Sequence, residues 1–289
     1  MAKEPTGTLI IIGGHEDKNH DQVILKEVAR HATGGQGKLV IATVATQLPE
    51  EVAQEYVEVF EKLGVKKIDH FDIRTRQDAY LDANAEILKD ASVVFFTGGD
   101  QLRITSQLGD SPLYTLISDL YERGATIAGT SAGASVMSET MMITGPQEES
   151  HRLGAVNMAP GFGLIKGVVV DQHFAERGRI GRLLGAVAQN PRHLGVGIDE
   201  NTAIVVHEGS FKVIGEGGVY VVDGSQISAS NLSEGESDEV LSCFDIRLHV
   251  LKAGDRFNLE TRRPANNALE EVPAIDAAHD GHRAAARTR

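Results

Sequence analysis

Short, continuously apolar runs alternate with amphipathic stretches through the first two-thirds of the chain, and this alternation restricts the fold more than any other feature. Thr8 to Ile12, Lys38 to Ala45, Ser92 to Thr97, Ala125 to Gly129 and Gly167 to Val170 are too short for buried helices and do not alternate polar with apolar. They read as strands covered on both faces. Gln22 to His31, Glu50 to Leu63, Ala83 to Lys89, Leu113 to Glu122 and Ile180 to Gln189 read instead as amphipathic helices. Such a βαβ rhythm calls for a mainly parallel sheet with helices on both faces, a three-layer α/β/α class. After Gly195 the texture changes. Ala203 to His207, Phe211 to Ile214, Val219 to Val222 and Gln226 to Ala229 are short strand-like pieces with glycine-rich turns, which predict an antiparallel extension of the same domain. Residues 1–263 are expected to form one α/β domain. From Pro264 the composition turns to Ala, Glu, Asp, His and Arg, so residues 264–289 are expected to be a disordered tail.

A chain of 289 residues, 41% hydrophobic, can bury a sizeable core, and with 5% aromatics and no Trp that core must rest on Val, Ile, Leu and Ala. The net charge of −13 argues against a nucleic-acid partner, because duplex binding draws on a basic face. It suits an enzyme acting on substrates that carry positive charge. The lone cysteine, Cys243, forms no internal disulfide, supplies no paired zinc ligands, and is expected to fill space on a strand. Leu9 to Ile12 is too brief for a signal-peptide core and nothing approaches a membrane span, so a cytoplasmic location without a membrane partner is expected.

The chemistry concentrates where a strand is expected to meet a helix. Ala125 to Gly129 ends a strand, Ala132 can begin a helix, and Ser131 lies between them in Gly129-Thr130-Ser131-Ala132-Gly133. Gly-x-Ser-x-Gly at that junction is the pattern of a nucleophile elbow, which lifts the hydroxyl above the sheet. A helix cap after a tight turn is the plainer reading of the same residues. The Ala132 amide, at the new helix's start, would face a developing oxyanion. Phe96-Thr97-Gly98-Gly99-Asp100-Gln101 ends the preceding strand, and the Gly99 amide is the candidate second donor. As an ordinary βα turn the same stretch would use Asp100 as an N-cap, while Gln101 is a candidate to orient a substrate amide.

A serine needs a base. Of eleven histidines, His173 is best placed, following the apolar run Val168 to Val170 at the strand edge where parallel sheets build their sites. His15, after Gly13-Gly14 at the end of the first strand, is its main rival, and His151 and His193 fall in loops. The carboxylate that orients the imidazole is expected to be Glu200, with Asp199 and Asp171 as competitors. The chain order Ser, His, acid departs from that of α/β-hydrolases. Thr33 to Leu39 resembles a phosphate loop only faintly, lacking its first glycine and its Ser/Thr, and nucleotide binding is rejected.

Ile11 to Lys18, Phe96 to Gln101, Gly129 to Ala134 and Asp171 to Leu183 together resemble the cyanophycinase family of serine peptidases, which also contains α-aspartyl dipeptidases. The resemblance spans roughly Thr8 to Asp223. It implies a flavodoxin-like fold related to class I glutamine amidotransferases, a Ser131, His173, Glu200 triad, no metal or cofactor, and a homodimer. It also implies cyanophycin as substrate, a poly-aspartate carrying arginine on each side-chain carboxyl, and the β-Asp-Arg dipeptide as product. His15 stands where a small residue is expected. Arg177, Arg179 and Arg182 crowd after His173 and are candidates for the substrate's carboxylate, and Gln172 is a further candidate for substrate binding. Asp171, Asp17 and Glu16 are candidates for its guanidinium. An aspartyl or isoaspartyl dipeptidase is the alternative within the same chemistry. A non-catalytic binding subunit is the alternative outside it, and the intact Ser, His and carboxylate set argues against that.

Overall fold

The computed structural model describes residues 7–33, 37–143, 152–236 and 238–265. His151, the Gly34-Gly35-Gln36 part of the phosphate-loop-like stretch and the tail beyond Ala265 lie outside the described residues.

The first half of the chain runs β1 (Thr8–Ile12), α1 (Val23–Thr33), β2 (Lys38–Ala42), α2 (Pro49–Lys62), β3 (Lys67–Phe71), α3 (Asp82–Leu88), β4 (Ala91–Phe96), α4 (Gln101–Leu108), α5 (Pro112–Glu122) and β5 (Thr126–Thr130). It continues through α6 (Ala132–Ser135), β6 (Thr140–Met142), β7 (Met158–Pro160), β8 (Val168–Gln172), α7 (Ile180–Gln189), β9 (Leu194–Ile198) and β10 (Thr202–His207). The remaining strands are β11 (Ser210–Gly215), β12 (Val219–Asp223), β13 (Arg247–Leu251), β14 (Arg256–Asn258) and β15 (Arg263–Pro264). Local chemistry explains the helix starts. Pro112 opens α5 behind Ser111, whose hydroxyl accepts from the Tyr114 amide. In α2, Glu50 and Glu51 sit in the first turn and Lys62 in the last, each favourable to the helix dipole.

Nine strands form the main sheet in the order β15-β14-β11-β10-β1-β5-β4-β2-β3. From β1 to β3 all neighbours are parallel, and from β1 outward through β10, β11, β14 and β15 all are antiparallel. This is the flavodoxin-like α/β class that the sequence predicts, with its antiparallel extension. One face buries Ile10, Ile12, Leu39 and Phe95 against Ile24 and Val28 of α1 and Phe60 of α2. The other face buries Leu9, Ile11, Phe96 and Ile127 in a core shared with Val168, Val170, Val196 and Ile198. These shared positions come from strands of a different sheet.

That second sheet corrects the sequence reading of the run at Gly167 to Val170. Strand β8 does not join the main sheet but a four-stranded one, β13-β12-β9-β8, with β8 and β9 parallel. Its outer face packs Val169 and Val222 on Leu183 and Val187 of α7. Two smaller expectations also differ. Gln226 to Ala229 forms no strand, because the chain turns at Ser225-Gln226, with the Asp223 carboxylate accepting from the Ser225 amide at 3.0 Å. Cys243 is only half-buried and meets Ser230 in an isolated bridge, with partial burial pushing its thiol pKa up. Arg263 and Pro264 pair with β14, so strand order runs past the expected start of the tail. Among the described residues no helix is long and apolar enough to cross a membrane.

Candidate active site

Strand β5 carries Thr130 to the C-terminal edge of the main sheet, and the chain reverses there into α6. Ser131 takes φ 54° and ψ −108° at the reversal, a conformation that non-glycine residues rarely hold. The flanking glycines make the turn physically possible. A Cβ on Gly129 would lie 2.4 Å from the Gly133 carbonyl oxygen, and one on Gly133 would lie 2.5 Å from that of Phe96. The result is the sharp elbow that the Gly-x-Ser-x-Gly spacing predicts.

His173 and Glu200 arrive from the second sheet, at the C-terminal ends of β8 and β9. The segment after β1 joins the two edges through three successive carbonyls. Ile12 accepts from the Ser131 amide at 3.1 Å, Gly13 from that of His173 at 2.8 Å, and Gly14 from that of Asn201 at 2.9 Å. Gly14 has φ 106°, and a Cβ there would lie 2.3 Å from Cε1 of the His173 ring. Gly13-Gly14 therefore acts as the seam on which the nucleophile, the base and the acid are registered.

Along this seam the side chains form one hydrogen-bonded chain. Ser131 Oγ lies 2.9 Å from His173 Nε2, and His173 Nδ1 lies 2.6 Å from Glu200 Oε1. An ionised carboxylate only accepts, so Nδ1 carries the ring proton and Nε2 is left to accept from the serine. Burial is the main reason that the His173 pKa is held below the usual imidazole value, with the Glu200 hydrogen bond opposing it and the Arg177 charge adding to it. His173 is thus neutral at pH 7, as a base must be. Asp199 is turned elsewhere, accepting from the Ala175 and Gly218 amides at 2.9 Å each. The amides of Gly99 and Ala132 have no acceptor among the described residues. Asp100 caps α4, accepting from the Leu102 amide at 2.8 Å.

Other sequence candidates divide by burial. Arg177 lines a polar cleft of about 620 Å³ together with Ser131, His173, Gly99 and the loop from His15 to His20. Arg179 and Arg182 do not reach that cleft. They are 4% and 9% exposed and close on Asp171, itself 1% exposed. Arg182 Nε donates to Asp171 Oδ2 at 2.7 Å, and Arg179 Nη1 to Oδ1 at 3.2 Å. The Gln172 side chain is also held by Arg179, at 3.1 Å. Asp171, Gln172, Arg179 and Arg182 thus bind one another, because α7 turns back over β8 and removes them from water. Gln101 donates to the Met142 carbonyl at 3.1 Å and braces β6. Asp17 lies in the cleft wall, yet its carboxylate accepts from the Asn19, His20 and Gln22 amides, which depress its pKa. Glu16 is buried beneath the elbow, accepting from Thr130 Oγ1 at 2.6 Å and from the Tyr56 hydroxyl. Of the rival histidines, His193 lies outside that cleft, its Nδ1 3.3 Å from Asn190 Nδ2. His15 does enter the site, with Nδ1 3.1 Å from Glu200 Oε2. Sequence reasoning placed His15 in competition with His173, whereas the two share one carboxylate. One ring nitrogen of His15, one of His173 and one oxygen of Glu200 lie within 4.8 Å of one another, brought together by the His173–Glu200 hydrogen bond and the His15–Glu200 contact.

Comparison with known proteins gives the family and supports the fold. The model of peptidase family S51 matches residues 9–214. A cyanophycinase of Trichormus variabilis is 40% identical over 256 residues, covering 88% of this chain and 86% of its own. A cyanophycinase of Geminocystis herdmanii is 37% identical over 265 residues, covering 91% and 97%. Among solved structures, a peptidase from an acI-B1 actinobacterium superposes with a TM-score of 0.66 at 22% identity, covering 88% of this chain and 98% of that one, which supports the fold. The chain belongs to peptidase family S51 and is a serine-type peptidase.

Proposed function

We propose that the protein hydrolyses cyanophycin through an acyl-enzyme on Ser131, with His173 as general base and Glu200 as the carboxylate that orients it. The observation carrying this reading is the unbroken chain from Ser131 Oγ through His173 to Glu200, at 2.9 and 2.6 Å, on a strained elbow. Two amides without acceptors among the described residues accompany it. In this reading His173 Nε2 takes the Ser131 proton as Oγ attacks the backbone carbonyl of an aspartyl residue. The Gly99 and Ala132 amides hold the oxyanion, unpaired among the described residues and so needing no reorganisation. His173 then gives the proton to the leaving amine, and water, deprotonated by the same imidazole, releases the acyl group. Arg177, beside His173 in the cleft, suits the free α-carboxylate of each repeat. No step calls for a metal or cofactor. The relatives named cyanophycinases supply the substrate in this reading. The reading takes residues 1–263 as one peptidase domain, cytoplasmic and homodimeric, on the strength of the family resemblance and the unpaired cysteine.

Incubation of the purified protein with cyanophycin, followed by mass spectrometry, is expected to show soluble β-Asp-Arg dipeptide. Absence of dipeptide together with cleavage of short aspartyl peptides would transfer the substrate to the dipeptidase alternative and leave the serine chemistry standing.

The two adjacent acids separate cleanly. Glu200→Gln is expected to lower kcat by about 10³- to 10⁴-fold, because an amide facing Nδ1 favours the wrong tautomer. Asp199→Asn loses an acceptor for the Ala175 or Gly218 amide and is expected to cost about 1–3 kcal/mol of stability with kcat within severalfold of the parent. Steady-state kinetics with urea titrations of both variants checks the pair, and equal loss of kcat in both would remove Glu200 from its role.

A further inference from the structure

Glu200 is approached by two imidazoles, one at each oxygen: His173 Nδ1 donates to Oε1 at 2.6 Å, and His15 Nδ1 lies 3.1 Å from Oε2, an ion-pair contact once His15 is protonated. The triad alone explains the first contact and not the second. His15 is 72% exposed in its side chain, so burial does not force it onto Glu200, whose side chain is 26% exposed. Its backbone does. His15 sits at φ 46°, and the turn around it is fastened on both sides to Asn201, which donates its amide to Gly14 and accepts through Oδ1 from the Asp17 amide at 2.9 Å. The ring then stands edge-on to that of His173, with centroids 5.1 Å apart.

We propose that His15 is a positioning residue of the triad, which fixes the second oxygen of Glu200 and, when protonated, keeps His173 in its neutral form further into acid. The proposal rests on the triad reading above. A carboxylate held at one oxygen can rotate about its last torsion, whereas one with an imidazole also set against its second oxygen presents a fixed oxygen to His173. The electrostatic half follows from distance. A charge on His15 lies about 5 Å from the His173 ring and disfavours a second positive charge there. The other charges facing His173 are Glu200 itself and Arg177, which adds to the same repulsion. Glu176 faces the acid, its carboxylate accepting from the Glu200 amide at 3.2 Å. Within the His15 loop the remaining charges are engaged, Lys18 with Glu55 and His20 with Asp17. From the neighbouring turn Asp199 is held by two amides. His15 is thus a group near His173 whose charge protonation switches, in contact with Glu200.

The test compares His15→Ala with His15→Asn, which keeps a donor near the place of Nδ1, tolerates positive φ and never becomes charged. The readout is the second-order rate of Ser131 labelling by a fluorophosphonate across pH 5 to 9 with EDTA present, a measure independent of substrate. At pH 8 His15→Ala is expected to label roughly fivefold more slowly than the parent, and His15→Asn to label at close to the parental rate. In both variants the acidic limb is expected to move up by roughly half a pH unit, since His173 then gains a proton more readily. An unmoved limb in both variants overturns the proposal, as does a His15→Asn protein as slow at pH 8 as His15→Ala. Failure of the triad reading looks different: the parent would then not be labelled at Ser131 at all.

Discussion

Ser131→Ala is expected to lower kcat by about 10⁵-fold or more while leaving the folded protein within about 1 kcal/mol of its parent. The two halves of this expectation come from different bonds. Catalysis depends on Oγ, whose one hydrogen bond among the described residues is to His173. The elbow depends on the backbone of residue 131, whose amide donates to Ile12 and whose carbonyl accepts from the Ala134 and Ser135 amides. Alanine keeps all three and carries the same penalty at φ 54° as serine does. A variant with a parental circular dichroism spectrum and melting temperature, no fluorophosphonate labelling and no dipeptide release would tie turnover to the hydroxyl. Substantial turnover by well-folded Ser131→Ala would move the nucleophile elsewhere and dissolve the triad reading.

The elbow was legible in the sequence because its requirements are local. A strand, a tight reversal and a helix each leave their signature within a few residues, and the two glycines that let Gly129, Gly133 and Phe96 crowd together are written at fixed spacing around Ser131. Strand β1 was legible for a similar reason, since four of its five residues are buried and all of those are apolar. Edge strand β3 was not. In Lys-Ile-Asp-His-Phe only the final residue is buried, so no apolar run announces it. The second sheet was hidden for a deeper reason. Strand β8 is buried on both faces like a strand of the main sheet, and composition does not say which neighbour it pairs with. Pairing is decided by long-range register, here β8 with β9 and β9 with β12. The same gap explains the histidines. His15 and His173 are both polar residues at strand ends, and only the seam at Gly13-Gly14 shows that they converge on Glu200 from opposite sides. For Arg179 and Arg182 the sequence shows a guanidinium cluster near the base but not the turn of α7 that buries it.

That burial carries the second large expectation: Asp171→Asn is expected to destabilise the protein by about 3–5 kcal/mol. One carboxylate, 1% exposed, faces two guanidiniums that are 4% and 9% exposed. The group is already short of negative charge. Burial brings the Arg179 pKa down to about 10 against the pull of Asp171, and Arg179 Nε has no hydrogen-bond partner among the described residues. Neutralising Asp171 leaves both cations without a counter-charge and replaces an acceptor with an amide that donates toward Arg182. Urea denaturation should register the loss as a midpoint lower by about 1 M or more at unchanged slope. Because Asp171 lies two residues before His173 on the same strand end, kcat should fall as well, through misplacement of the imidazole. Replacing all three residues together, Asp171→Leu with Arg179→Met and Arg182→Met, should recover most of the stability, since an apolar cluster of similar volume owes no desolvation cost. The comparison separates a structural ion cluster from a ligand site. A loss below about 1 kcal/mol in Asp171→Asn would mean that water reaches these charges, and Arg179 and Arg182 would return as candidates for the substrate's carboxylate.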